Sequence, residues 1–142
     1  MTAYKQFRAV YLVLTLNFLI PGLVYMFAPA HAIRQFSLIG ELTTGAAYPW
    51  ASGETGEVWH ILACGNVLNL ALMCGLLWHD LKRFYPVLIP LVFMKGFSTL
   101  MNGIVFAFKG RFPGFLAIFL LDGTTAAAMV FFAQRARREL GF

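Results

Sequence analysis

Four long apolar runs separated by short polar stretches organise this chain, at 9–28, 58–78, 85–108 and 114–133. Each run has 20–24 residues, and at about 1.5 Å per residue a helix of that length crosses a hydrocarbon core of about 30 Å. None of the runs alternates polar with apolar residues, so barrel strands do not fit. A backbone facing lipid must satisfy its own hydrogen bonds, and the helix does this within one segment. The pattern predicts an all-α integral membrane protein: one domain over 1–142 with four transmembrane helices in an antiparallel bundle. The first run precedes APAHA at 28–32, which looks like a small-residue cleavage site. It is longer than the roughly 7–15 residues of a signal-peptide core, and it reads as a first span.

The connections are unequal. HDLKRF (79–84) and KGRFP (109–113) are short and predict tight turns, making the last three spans consecutive neighbours. The 29–57 connection is long. Its first part, AHAIRQFSLIG (30–40), reads as a short amphipathic helix lying along the surface. Its second part, TTGAAYPWASGETG (43–56), reads as irregular loop rich in turn formers. Lys and Arg decide the threading. The N-terminal stretch, the 79–84 turn and the tail together carry Lys5, Arg8, Lys82, Arg83, Arg135, Arg137 and Arg138, whereas the other side carries Arg34, Lys109 and Arg111. Both termini are expected to face the cytoplasm, with the long loop outside.

Composition agrees with the pattern: 60% of the 142 residues are hydrophobic and 12% charged, against a charged share of about 25% in soluble domains. The formal net charge of +5 collects at the expected cytoplasmic ends. Anionic lipid headgroups account for it without nucleic acid.

One cation stands apart. Lys95 lies in LVFMKGFSTLMNGIVFAF (91–108), about 15 Å into its span. Its stem reaches only about 6 Å, too short to bring the ammonium to the headgroups. The fourth span carries one acidic residue, Asp122, about 16 Å from the same edge. An isolated charge at a helix centre costs about 2.5–3.5 kcal/mol or more. Matching depth on neighbouring helices therefore predicts an intramembrane Lys95–Asp122 ion pair. Ser98, Thr99 and Asn102 share Lys95's helical face. With Asn17, Asn66 and Asn69 they are expected to line the surroundings of the pair. Gly96, Gly103 and Gly123 would let helices approach closely, and Pro90 would bend the third span. Two readings of the pair stay open. It fixes which helices meet, or it handles an ion, proton or ligand.

Other chemistry is sparse. His60, with Glu54 and Glu57 nearby, forms an outer-face polar cluster that is expected to be an interfacial patch, with a sparse metal site, a proton relay or the acid–base groups of a lipid-active enzyme as the alternatives. Cys64 and Cys74 are about 15 Å apart along one helix, too far for a mutual disulfide. His60 and His79 are too far apart to clasp one haem, and no cofactor is assigned. The hydrolase, zinc-protease, Walker and dinucleotide-binding motifs are missing from the sequence. The expectation is a non-enzymatic accessory or scaffold subunit packing against other membrane proteins, a second copy or a hydrophobic ligand. The alternative is a small oligomeric transporter or channel that uses the Lys95–Asp122 pair.

Overall fold

A computed structural model describes residues 2–44, 53–109 and 113–142. The elements are α1 (Ala3–Phe27), α2 (Pro29–Thr44), α3 (Gly53–His79), a short α4 (Leu81–Phe84), a 3-10 turn over Tyr85–Val87, α5 (Leu88–Phe108) and α6 (Pro113–Leu140). Four helical stretches are long and apolar enough to cross a membrane: Ala3–Phe27, His60–His79, Leu81–Phe108 and Pro113–Leu140. They pack together, α1 chiefly on α3 and α5 chiefly on α6, with α1 and α6 joining the two pairs. The result is a small all-helical protein built on hydrophobic membrane-spanning helices.

The expected spans are found, and they extend further than the apolar runs. α1 begins at Ala3 rather than near 9, because Thr2 caps it: the Lys5 amide donates to Thr2 Oγ1 at 3.3 Å. α6 continues through QRARREL to Leu140. Gly141, at φ +72°, ends it by turning the chain left-handed while its amide still donates to the Arg137 carbonyl at 3.0 Å. The turn after α3 is more ordered than a bare loop. Asp80 is extended, and its side chain accepts from the Arg83 amide at 3.0 Å, so it starts α4.

Three expectations are corrected. The 29–57 connection is largely helical: α2 runs over Pro29–Thr44 and packs on α1 and α6, and α3 begins at Gly53. The remainder of the expected loop, 45–52, lies outside the described residues. The irregularity in the third span is the 3-10 turn over Tyr85–Val87, just before Pro90 rather than at it. Pro90 sits in the first turn of α5, where backbone amides lack intrahelical partners anyway. Gly96 is not a close-approach site, since a Cβ there would meet nothing within 4 Å. Gly103 and Gly123 do bring α5 and α6 together. A Cβ on Gly103 would come within 2.9 Å of the Phe119 ring, and one on Gly123 within 3.3 Å of Thr99 Cγ2. Gly22 serves α1 and α3 in the same way, against Leu68.

The core is one-sided. Phe7, Tyr11 and Phe18 on α1, Leu70, Ala71, Cys74 and Leu77 on α3, Leu88 and Leu91 on α5, and Met129, Ala133 and Ala136 on α6 are all buried, together with Leu81 of α4. These belong to the halves of the helices that meet around α4. Among the described residues of the opposite halves, burial shrinks to Gly22, Cys64 and Gly114. Threonine hydroxyls in the apolar stretches bond their own helix, as Thr15 Oγ1 does to the Tyr11 carbonyl at 2.7 Å and Thr124 Oγ1 to that of Leu120 at 2.8 Å. Tyr11 Oη instead crosses from α1 to the Met129 carbonyl of α6, at 2.9 Å.

These contacts separate two glycine substitutions. Gly103→Val should force the Phe119 ring away and lower stability by about 1–3 kcal/mol, whereas Gly96→Ala should cost nothing. Thermal unfolding of both variants in the same detergent checks this, and equal losses would contradict the packing described.

Candidate functional site

α5 presents Lys95 inward because Leu88, Leu91 and Lys95 recur at helical spacing, and all three are buried. α6 presents Asp122 about two and three turns before its own buried positions Met129 and Ala133. Lys95 Nζ donates to Asp122 Oδ1 at 2.6 Å. The two side chains are only 11% and 13% exposed. A third helix takes part: the ring of Phe18 on α1 lies 4.6 Å from the ammonium, within cation–π range. The cation is thus held by one carboxylate and one aromatic face, from two different neighbouring helices.

The other expected members divide. Ser98, Thr99 and Asn102 do lie on Lys95's side of α5, half-buried. Their hydrogen bonds run within α5: Thr99 Oγ1 donates to the Lys95 carbonyl at 2.8 Å, and Asn102 Nδ2 to the Ser98 carbonyl at 2.8 Å and its hydroxyl at 3.3 Å. They satisfy the helix and do not hold the ion pair. Asn17, Asn66 and Asn69 do not line the pair, because all three are exposed. Asn17 and Asn69 are each one position, about 100° of helical turn, from an inward residue, Phe18 and Leu70 respectively. Asn66 is one turn beyond Leu70, in the half of α3 where burial thins out.

Of the outer cluster, only the side chain of His60 is described. The side chains of Glu54 and Glu57 lie outside the described residues. His60 Nε2 contacts the backbone carbonyl of Tyr25 near the end of α1, with Cys64 Sγ 3.4 Å away. The cause is local. The residue four beyond Tyr25 is Pro29, which has no amide to offer that carbonyl. His60, with its proton on Nε2, supplies that donor from α3. Among the described residues, no three His, Cys, Asp or Glu side chains gather as a metal site would require. Cys64 and Cys74 are both buried free thiols.

Three contacts were not anticipated from the sequence. Phe18 over Lys95 had no local signal. The His60–Tyr25 contact had one, the proline four residues on. The third lies at the other end of α1, where Glu139 Oε2 of α6 accepts from the Ala3 amide at 2.6 Å and the Tyr4 amide at 3.2 Å. An acidic residue there also suits the positive end of the helix dipole.

An open apolar groove of about 420 Å³ runs between α1 and α3, lined by Leu19, Leu68, Ala71, Gly75 and Phe84 among others. Compared with protein-family models, curated proteins and solved structures, the chain matches none of them.

The arrangement predicts strong non-additivity. Lys95→Met alone leaves Asp122 uncompensated and should cost about 3–5 kcal/mol, as should Asp122→Leu, while the double variant should return most of that loss. Melting of the four proteins in one detergent closes the cycle, and additive losses would show that the two groups are not coupled. His60→Leu should cost about 1–3 kcal/mol, because it orphans the Tyr25 carbonyl. His60→Gln, which keeps a donor, should cost less in the same measurement.

Proposed function

We propose that this chain is a non-enzymatic integral membrane protein that works by packing against another membrane helix, as an accessory or scaffold component. Successive spans run antiparallel, and both termini face the cytoplasm with the excess of Lys and Arg. The observation that carries the reading is on α3. Leu62, Gly65, Asn66, Asn69 and Leu72 are all exposed, and their spacings of three and four residues place them along one side of the helix. Two amide side chains facing hydrocarbon lack partners that water would otherwise supply. In membranes such groups hydrogen-bond across helix interfaces, and a neighbouring glycine lets the partner approach.

The sealed state of the ion pair supports packing over transport. A gating pair would be expected to border a hydrated path, whereas Lys95 and Asp122 are nearly covered and directly bonded. Their role in this reading is to fix the rotation and register of α5, α6 and α1.

The test uses protein extracted from its native membrane in mild detergent. Wild type should elute in an assembly larger than the 15.9 kDa protomer, and Asn66→Leu/Asn69→Leu should elute as the protomer with an unchanged melting temperature. Light scattering on the eluted peak gives the mass. A wild-type protein that elutes only as protomer would sink the proposal.

A further inference from the structure

At the end of the bundle where α4 meets α6, a second pocket of about 420 Å³ is lined by Tyr85, Gln134, Arg137, Arg138 and Phe142. That is more than ten times the share of about 30 Å³ that one water takes in the liquid. Gln134, Arg137 and Arg138 fall on one face of α6 at spacings of three and four. Arg137 is fixed in place: its Nε donates to the Phe142 carbonyl at 2.7 Å, and its guanidinium lies 4.7 Å from the Tyr85 ring. The Phe142 ring meets Tyr85 edge-on at 5.8 Å. The left-handed turn at Gly141 brings Phe142 back to that position. The two terminal nitrogens of Arg137 remain for the pocket.

Among the described residues, no Asp or Glu side chain pairs with this charge: the one salt bridge is Lys95–Asp122, and the adjacent Glu139 is engaged by the amides that start α1. Other cations nearby rest on aromatic rings of their own helices, Arg135 on Phe131 at 5.4 Å and Arg83 on Phe84 at 5.4 Å. Arg137 and Arg138, by contrast, both line a cavity.

The geometry points to a binding pocket for a phosphate group, with the Arg137 and Arg138 guanidiniums as the cationic fork and Gln134 as a further donor. Planar guanidiniums match phosphate oxygens two at a time. The position at the end of membrane-spanning helices makes the phosphate of an anionic lipid headgroup the natural source, and basic pockets between spans recognise such lipids. The pocket is independent of the α3 contact and stands or falls separately from it.

The experiment reconstitutes the full chain in phosphatidylcholine nanodiscs containing phosphatidylglycerol, then counts phosphatidylglycerol retained after transfer to detergent by native mass spectrometry. Wild type should retain it. Arg138→Gln should weaken retention about fivefold and Arg137→Gln/Arg138→Gln roughly thirtyfold. Lys82→Gln/Arg83→Gln, which removes charge from the same end outside the pocket, should leave retention unchanged. Melting curves establish that each variant is folded, and Arg138→Gln alone carries the test if the double variant is not. Displacement of the lipid by inorganic phosphate would keep the phosphate chemistry and assign the site to a soluble source. Unchanged retention in Arg138→Gln and in the double variant, or an equal loss in Lys82→Gln/Arg83→Gln, would overturn the pocket.

Discussion

A positive charge inside hydrocarbon must be answered from within the protein, and this requirement orients half of the bundle. Lys95 cannot reach water along its own helix, so α5 is rotated until the ammonium meets Asp122 and the face of Phe18. Once that rotation is set, the rest of α5 follows. Thr99 falls toward Gly123 and Gly103 receives Phe119, while Ile89, Phe93, Phe97, Leu100 and Phe108 are turned outward. The same contact brings α1 against α6, where Tyr11 and Met129 are buried next to each other. A pair of this kind is weak evidence for stability, because the desolvation of both charges opposes their attraction. Its stronger effect is selective, since any other rotation of α5 would leave two charges in oil.

Packing density is uneven along the bundle, and the ion pair lies near the change. On one side, large side chains from every spanning helix interlock around Leu77, Leu81 and Leu91. On the other, the described contacts include small residues and His60, and much of the apolar surface is open. The amide side chains of α3 belong to that thinner half. A bundle that closes fully at one end and incompletely at the other has spare surface where a partner helix would add what the chain does not supply.

Fold class was legible because membrane spans follow from length and apolarity alone, with no need for long-range contacts. The meeting of Lys95 and Asp122 was legible for a similar reason: two expensive groups at equal depth on adjoining helices leave few alternatives. Asn17, Asn66 and Asn69 were misjudged because an uncharged amide constrains rotation less than a charge does. α1 and α3 orient by their bulky residues, Phe18, Leu70 and Leu77, and the amides take the positions left over. α2 was underestimated in length because its composition mixes turn formers with helix formers, and its packing on α1 and α6 decides the outcome. The ring of Phe18 over the ammonium left no trace in the sequence, since one phenylalanine among 15 carries no mark of its neighbour.

The carboxylate that receives the first amides of α1 has a consequence for assembly in time. Glu139 follows Ala3 and Tyr4 by more than 130 residues, so while the chain is being made the first helix enters the membrane with that end unfinished. Its closing partner emerges only after every other span has been threaded. Until then the opening helix must lean on water, lipid headgroups or the insertion machinery, and the last span both completes the bundle and seals its beginning.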